Sequence, residues 1–409
     1  MIGSRLKSLL AAGCAVGALT GTAAAGGFDR GGVNIDLLWD ESPYAAEAGL
    51  IFVNPQRTLN NVQRLDRPPF PVALFSPSVD VDDDYTVPRV GFKANVFEPV
   101  DCLATYTQPY GADAQYGTNN AYSPTSVEFK VDTNDYGLTC SYKWGLGKGF
   151  ARIVGGVSYL DVDAFQSRQT LLALGNQGLG TFQLSDDAWS WRLGGSYEIP
   201  EIALRASLVY SAKYNLDGLA GTADTTGFAG GRLGPAGTRF LGVFDVTAAT
   251  EIPQALDFKV QTGIAPGWLA FGSVRWQEWS KLGVIPIRGV RSPLTGLPSN
   301  TSFDPLYRDG WTVSGGIGHA FTDKFSGAVS LTWDRGTSTV SGYQTDLWNF
   351  AAGAAYKATE NIEVRLGGSL GLWESGTSVF GGGDLASAVT YTFDDDLVAA
   401  ISGSIKVRW

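Results

Sequence analysis

The chain has 409 residues, a formal net charge of −10 and a single histidine, and 53 of its residues are glycine. The negative charge argues against a nucleic-acid partner, because proteins that bind phosphates carry an excess of Lys and Arg. After residue 25 no run of about eighteen apolar residues occurs, which excludes a transmembrane helix from the rest of the chain. Glycine and aromatic residues are frequent and strong helix-forming stretches are few, which favours an all-β protein.

The first 25 residues have the three regions of a secretory signal peptide. Arg5 and Lys7 give a short positive region, residues 8–20 are apolar, and Ala23–Ala25 provides small residues for cleavage before Gly26. The apolar run is too short to span a bilayer. We therefore predict a signal peptide over residues 1–25 and an exported protein.

The three cysteines leave two questions open. A lipoprotein signal ending at Cys14 is an alternative to the signal peptide, although the apolar run continues beyond this residue. Cys102 and Cys140 form an even pair in an oxidising compartment, which makes a disulfide one interpretation. Two free thiols that face lipid are the other interpretation, and the sequence does not separate them.

Residues 26–56 lack the clean alternation of the rest of the chain and form a separate predicted segment. Ser42-Pro43 predicts a short helix through Ala48, because Pro is favoured in the first turn of a helix. A segment of about thirty residues is long enough to fill a large barrel that would otherwise be open to water. We predict that it is an N-terminal hatch.

From residue 86 onward the chain alternates apolar and polar residues over long segments, for example at 187–198, 202–214 and 361–373. A period of two predicts β-strands. Strands of soluble proteins have about five or six residues, whereas strands that cross a bilayer need about nine to eleven. Short turns and long polar loops alternate between these segments, as in bacterial outer-membrane barrels.

Parity sets the predicted number of strands. Counting back from Trp409 gives thirteen strands to residue 86, and an even total requires one more, which we place within 57–80. Residues 239–250 also alternate but break the parity, so we assign them to a long outer loop. The sequence thus predicts a transmembrane antiparallel β-barrel of about fourteen strands over 57–409, with the hatch inside its lumen.

The last strand ends in an aromatic residue, Trp409, with Ile401, Ile405 and Val407 on the same face. This ending resembles the signal that outer-membrane assembly machinery recognises. We expect a monomeric, multi-pass protein of the outer membrane of a Gram-negative cell, in contact with membrane lipid and lipopolysaccharide.

Three stretches resemble the FadL/TodX (OMPP1) family of outer-membrane transporters. They are YAAEAGLIFVNPQ (44–56), IPQALDFKVQTGIAPGWLAFGSVRWQEWSKL (252–282) and DGWTVSGGIGHAFTDKFSGAVSLTWD (309–334). Asn54-Pro55 matches the Asn-Pro-Ala motif at the end of the family's plug, with Gln56 in place of Ala. The resemblance implies a fourteen-stranded barrel plugged by an N-terminal hatch.

The resemblance also implies a function, which is the uptake of long-chain fatty acids or aromatic hydrocarbons. Ligand would be captured in a groove of the outer loops, pass along the hatch and leave sideways through a gap in the barrel wall. A detergent-like molecule would fit the same groove. A general diffusion porin for polar solutes is the alternative.

Two sets of candidate ligand-binding residues follow from their positions. The first set is in the outer loops and the hatch. Its apolar loop residues are Leu171, Leu174, Phe182, Leu184, Phe240 and Phe244, and its hatch residues are Phe52, Asn54 and Pro55. Apolar residues in wet loops mark binding surfaces, and each buried CH₂ of a ligand contributes about 0.8 kcal/mol. The alternative is that the loops pack on one another as a cap.

Cations inside the barrel form the second set, and alternation places Arg192, Arg205, Lys259 and Arg275 there. Each could hold the carboxylate of a fatty acid, because a buried carboxylate needs a partner. Each could equally pair with a luminal Asp or Glu.

We predict neither catalysis nor a cofactor or metal. The only histidine, His319, alternates with Ile317 and Phe321 and should face lipid, so it has no partner for a Ser-His or zinc site. The acidic runs at 80–84 and 394–396 lack the spacing of a calcium loop. We interpret them as solvated loops or as bridges to lipopolysaccharide.

Overall fold

The computed structural model describes residues 26–64, 76–81, 83–172, 176–229, 240–292, 295–299, 301–339, 341–379 and 389–409. The predicted signal peptide, residues 1–25, lies outside these ranges and stays a prediction. Within the described part of the chain, none of the helices has the length and apolar character needed to cross a bilayer.

The described residues form twenty-five strands and a few short 3₁₀ helices. Numbered along the chain, the strands are β1 (Tyr44–Pro55), β2 (Thr58–Arg64), β3 (Ser78–Asp80), β4 (Tyr85–Phe97), β5 (Val100–Thr107), β6 (Gly111–Gln115), β7 (Glu128–Leu146), β8 (Gly149–Leu172), β9 (Asn176–Ile199), β10 (Leu204–Ser211), β11 (Tyr214–Leu216), β12 (Ala220–Asp224), β13 (Val243–Thr247), β14 (Thr250–Ile252), β15 (Ala255–Ala265), β16 (Trp268–Gln277), β17 (Ile285–Ile287), β18 (Thr301–Phe303), β19 (Gly310–Ala320), β20 (Phe325–Arg335), β21 (Leu347–Lys357), β22 (Ile362–Trp373), β23 (Gly376–Val379), β24 (Val389–Phe393) and β25 (Asp396–Arg408). The 3₁₀ helices are Asp36–Trp39, Pro200–Ile202, Thr226–Ala229 and Trp279–Lys281.

A closed antiparallel barrel is the centre of the fold. Its wall strands are β1, β4, β5, β7, β8, β9, β10, β15, β16, β19, β20, β21, β22 and β25, and β1 pairs with both β4 and β25 to close the sheet. The described residues therefore confirm the predicted fourteen-stranded, all-β barrel. Short turns join the strands at one end and long loops at the other, which marks the long-loop end as the outer side.

Alternation along each strand separates a lipid-facing exterior from a charged interior. On β22, Leu366 and Leu370 are about two-thirds exposed, whereas Glu363 and Arg365 are almost completely buried in the lumen. Apolar side chains on the outer face are stable only where lipid covers them. The exterior is therefore a membrane-embedded surface.

The predicted boundary between hatch and barrel was wrong. Residues 44–55 form the wall strand β1, in which Ala45 is opposite Arg408 on one side and Lys93 on the other. The helix predicted through Ala48 does not form. Without β1, the facing edges of β4 and β25 would have unpaired backbone groups at membrane depth, where no water can replace them.

The first wall strand was predicted within 57–80, and this prediction was also wrong, because β1 fills that place in the wall. The described residues of this range form β2 and β3, which pair with β23 and β24 in a small four-stranded sheet of the outer loops. The predicted outer-loop stretch 239–250 is described from residue 240 onward, and this part lies outside the wall, as parity predicted, with β13 paired to β12 above it.

The cysteines form a disulfide, which decides between the two interpretations left open above. Cys102 on β5 is directly opposite Cys140 on β7, and their sulfur atoms are bonded. The bridge therefore links two neighbouring wall strands.

We expect depth-dependent damage from charge on the lipid-facing surface. Leu366→Arg places a cation near the middle of β22 and should destabilise the barrel by about 2–4 kcal/mol, whereas Ile362→Arg at the periplasmic end of the same strand should cost about 0–1 kcal/mol. Reversible urea unfolding in lipid vesicles measures both. Equal losses for the two variants would contradict a membrane-spanning β22.

Candidate functional site

An apolar cavity of about 110 Å³ lies among the outer loops. Phe129 comes from β7, Phe182 and Leu184 from β9, and Phe303 from β18, so residues far apart in the chain build one site. These strands extend above the barrel wall and place their inward-facing side chains around a common centre. The lining is almost entirely carbon, which suits an uncharged, hydrophobic group.

Phe28 closes this cavity from the side of the lumen. Its ring lies 6.1 Å from Phe129, 6.3 Å from Phe303 and 6.0 Å from Trp279, measured between ring centroids. Phe28 belongs to residues 26–43, which precede β1 and are called the N-terminal segment below. The segment therefore forms part of the site.

Ion pairs attach the N-terminal segment to several sides of the barrel wall. The pairs are Arg30 with Asp113, Asp29 with Arg275, Asp36 with Lys259, and Asp40 with Lys406 and Arg408. The partners lie in three separate parts of the barrel, namely on β6, on the adjacent strands β15 and β16, and on β25, so the segment crosses its interior. Trp39 adds a hydrogen bond from its indole N–H to the hydroxyl of Ser196, at 2.8 Å.

The lowest anchor of the segment is strongly biased towards its ionised form. Burial raises the pKa of Asp40, but Lys406 at 3.1 Å and Arg408 at 2.9 Å outweigh this effect and hold the pKa well below its ordinary value of 3.8. The attraction of two cations to one carboxylate offsets the free-energy cost of removing it from water. The anchor therefore remains charged across the whole physiological range of pH.

A second cavity, of about 240 Å³, adjoins the apolar one and is called the polar cavity. Tyr122, Tyr307 and Tyr391 line it, together with Arg168 and Asp304. Burial raises the pKa of the Tyr391 hydroxyl to about 12, so this group remains a neutral hydrogen-bonding partner.

Three further cavities follow the N-terminal segment towards the periplasmic end. One of about 140 Å³ lies beside residues 29–36, and one of about 70 Å³ lies between residues 34–37 and the wall. The last has a volume of about 720 Å³ and lies beside residues 39–43. The segment thus contacts every one of these cavities.

The structure brings together some of the predicted apolar site residues. Phe182 and Leu184 line the apolar cavity. Phe240 is half-buried next to Gly296, and Phe244 is half-buried on β13, and neither lines it. The side chain of Leu171 and the whole of Leu174 lie outside the described residues.

The predicted hatch residues lie elsewhere than expected. Phe52 is on the lipid-facing side of β1, and Pro55 is opposite Val398 on β25. Asn54 donates a hydrogen bond to Asp84 at the outer end of the strand. The expectation that Asn54-Pro55 forms a turn of the hatch was wrong, because both residues belong to the barrel wall.

The predicted cations face the lumen, and none lines the apolar cavity. Arg275 forms ion pairs with Asp29 and Asp257, and Lys259 pairs with Asp36. The other two have neutral partners: Arg192 donates to Ser158, and Arg205 donates to Gln261 and lies over the ring of Trp39.

His319 faces lipid, as alternation predicted. Its ring stacks against Trp268 at 4.3 Å and contacts Phe321 at 4.9 Å, between centroids. In the acidic runs, Asp396 pairs with Arg57 and Asp80 accepts a hydrogen bond from Thr58. Among the described residues, no three acidic, His or Cys side chains are grouped as metal ligands would be.

The sequence reasoning missed Phe28, Phe129, Phe303 and Arg168. Phe28 lies in the predicted hatch, where a lone aromatic residue after two glycines could have been marked as an anchor. The others lie on β7, β8 and β18, at sequence separations from 39 to 174 residues, and no local pattern indicates that they meet.

A closed, lipid-facing barrel with an occupied lumen and an apolar cavity among its outer loops defines an outer-membrane transport barrel for hydrophobic compounds. The model of the family described as outer membrane protein transport protein (OMPP1/FadL/TodX) matches residues 38–370. The chain belongs to this family, whose members are transport channels and not enzymes. The resemblance and the outer-membrane location inferred from the sequence are thereby confirmed.

Solved structures of low sequence identity share the fold. The chain is similar to a Pseudomonas aeruginosa FadL homologue with a TM-score of 0.76, at 13% identity and 91% coverage of each chain. It is also similar to the Ralstonia pickettii toluene transporter TbuX (TM-score 0.63, 14% identity, 97% of each chain) and the P. putida toluene transporter TodX (TM-score 0.63, 12% identity, 91% of this chain and 92% of that one). No curated protein sequence matches the chain significantly.

We expect the N-terminal segment to come loose when its central ion pair is removed. Arg275→Met leaves the buried carboxylate of Asp29 and the partly buried carboxylate of Asp257 without their shared cation, which is strongly unfavourable. Ion conductance in planar bilayers should rise from near zero in the wild type. Lys213→Met, which removes an exposed ion pair with Glu251, is the matched control and should leave conductance unchanged.

We also expect the Asp40 anchor to be insensitive to mild acid. Because the pKa of Asp40 is lowered in the folded protein, its stabilisation is complete above the unfolded value of 3.8 and is lost only as pH falls through the lower folded pKa. The difference in conductance between wild type and Asp40→Asn should stay constant from about pH 7 to about pH 5. A difference that shrinks over this range would show that the pKa of Asp40 is raised above its ordinary value and not lowered.

Proposed function

We propose that the protein carries long-chain fatty acids or other hydrophobic small molecules, including aromatic hydrocarbons, across the outer membrane. Ligand is captured in the apolar cavity of the outer loops and passes along the N-terminal segment. The observation that supports this proposal most directly is an apolar cavity among the outer loops whose inner side is the ring of Phe28. Entry into the lumen then depends on a part of the protein that is not fixed in the barrel wall.

Cavity size limits what fits without movement. A volume of about 110 Å³ is of the order of the roughly 150 Å³ apolar cavity that holds benzene in another protein. A single aromatic ring or a few methylene groups would therefore fill it. A long acyl chain requires Phe28 to move aside, and each additional CH₂ buried supplies about 0.8 kcal/mol towards that movement.

The relatives support the same class of ligand. Two of the similar structures are described as toluene transporters and one as a FadL homologue. We extend the shared class, hydrophobic compounds, to this chain. The ring-sized cavity favours neither an aromatic hydrocarbon nor the end of an acyl chain.

The N-terminal segment supports a plug role. Its ion pairs reach the barrel wall on several sides, and the cavities beside it are small except at the periplasmic end. A general diffusion porin needs a continuous wet path, which this segment interrupts. The carrier is therefore favoured over the porin.

The outer face of the barrel supports the expected contact with membrane lipid. Trp189 and Trp191 are more than half exposed on the outer face of β9, where aromatic residues suit the lipid interface. We infer a monomer surrounded by outer-membrane lipid and lipopolysaccharide.

We expect a charge in the apolar cavity to abolish capture. Leu184→Asp places a carboxylate in the lining and should lower uptake of radiolabelled oleate and toluene by more than about tenfold, because an apolar ligand cannot satisfy a buried charge. Cells that lack their own carriers and express the variant provide the assay.

The control is Val243→Asp, on an exposed side chain of β13 outside the cavity lining. It should leave uptake within about twofold of wild type, since a surface charge costs little. Unchanged uptake by the Leu184 variant, at equal amounts of folded protein, would contradict capture of ligand in the apolar cavity.

A further inference from the structure

Arg168 stands out because it is a cation at the border of the two outer cavities. It lines the polar cavity, and its guanidinium lies 5.5 Å from the ring centroid of Phe182, which lines the apolar cavity. Among the described residues, no carboxylate lies within ion-pair distance of it. A partly buried arginine usually faces an acidic partner, so its surroundings need an explanation.

Neutral groups occupy three of the hydrogen-bond donors of Arg168. Nε donates to the Gln166 amide oxygen at 3.0 Å, Nη1 to the Thr301 hydroxyl at 2.9 Å, and Nη2 to the Ser302 carbonyl at 3.0 Å. A guanidinium has five N–H donors. Two donors therefore remain for a molecule in the cavity.

Asp304 supplies the complementary half of the site. It follows β18 directly, lines the same cavity and attracts Arg168 electrostatically. Its Oδ1 atom is buried, and no donor in the described part of the chain reaches it. A buried acceptor without a partner is unfavourable, and a ligand that donates a hydrogen bond to it would remove that cost.

The two cavities are close enough for one ligand to occupy both. Phe28, Phe129, Gln166 and Phe303 line each of them, so only these side chains lie between the apolar and polar spaces. An apolar body would fill the first cavity while a polar head group enters the second.

We infer that this polar cavity selects ligands whose head group is neutral and both donates and accepts hydrogen bonds, such as an alcohol or an amide. Such a group donates to Asp304 and accepts from Arg168 at the same time. An ionised carboxylate could accept from Arg168, but it has no proton for Asp304 and would bring a second negative charge next to it. The inference rests on the proposed function and defines its ligand more narrowly.

Three ligands with the same twelve-carbon body separate the contributions of the head group. Dodecan-1-ol, dodecanoate and dodecane compete with a fluorescent apolar probe bound to the full-length protein in amphipol, at a pH where dodecanoate is ionised. Dodecan-1-ol should bind about tenfold more tightly than the other two, since hydrogen bonds to charged groups are stronger than those between neutral groups.

Asp304→Asn removes the negative charge of the acceptor without a large change of shape. It should weaken dodecan-1-ol, strengthen dodecanoate because the repelling charge is gone, and leave dodecane unchanged. Asp83→Asn, which neutralises an exposed acid outside both cavities, is the matched control and should change none of the three affinities.

The outcomes distinguish this inference from the proposed function. If dodecanoate binds most tightly to the wild type, or if Asp304→Asn leaves the ratio of alcohol to carboxylate unchanged, the inference is wrong. If dodecane binds and Leu184→Asp abolishes its binding, the proposed function stands even then. If none of the three ligands displaces the probe, the proposed function and the inference fail together.

Discussion

The hydrocarbon of a bilayer offers no hydrogen-bond partner to a peptide group, and this constraint determines the rest of the structure. Every wall strand needs a neighbour on both sides, so the sheet must close. β1 completes the closure between β4 and β25, and Tyr44 and Trp409 exchange backbone hydrogen bonds of 3.2 and 3.1 Å at its inner end. Because the N-terminal segment leads directly into β1, closure of the wall also fixes where that segment enters the lumen.

Ion pairs and apolar packing together hold the N-terminal segment in the lumen. Its acidic residues and Arg30 meet oppositely charged residues of the barrel, while apolar contacts form around Phe28 at its upper end and around Ile35, Leu38 and Trp39 further down. Buried ion pairs contribute little net stability but specify position, since any shift leaves charges unpaired. The ion pairs thus fix the position of the N-terminal segment, and Phe28 at its upper end is the part that would contact ligand.

The alternation of polar and apolar residues made much of the fold predictable, but it is weak in the first wall strand, which was therefore not predicted. Long period-two segments such as 361–373 show both faces plainly, and parity gave the strand number and excluded residues 239–250 from the wall. In β1 the inward positions include Ala45 and Gly49, so polar and apolar faces are hard to distinguish. The outer cavities could not be predicted, because Phe28, Arg168 and Phe303 meet only through the tertiary fold.

The barrel closes where β1, the first wall strand in the chain, pairs with β25, the last one. β1 lies at the beginning of the wall and β25 at its end, and eleven residue pairs join them from Ala45–Arg408 to Pro55–Val398. The cylinder cannot be sealed before the last residues of the chain have been delivered. Residues 26–43 run directly into β1, so the N-terminal segment is tethered beside this junction when the wall closes.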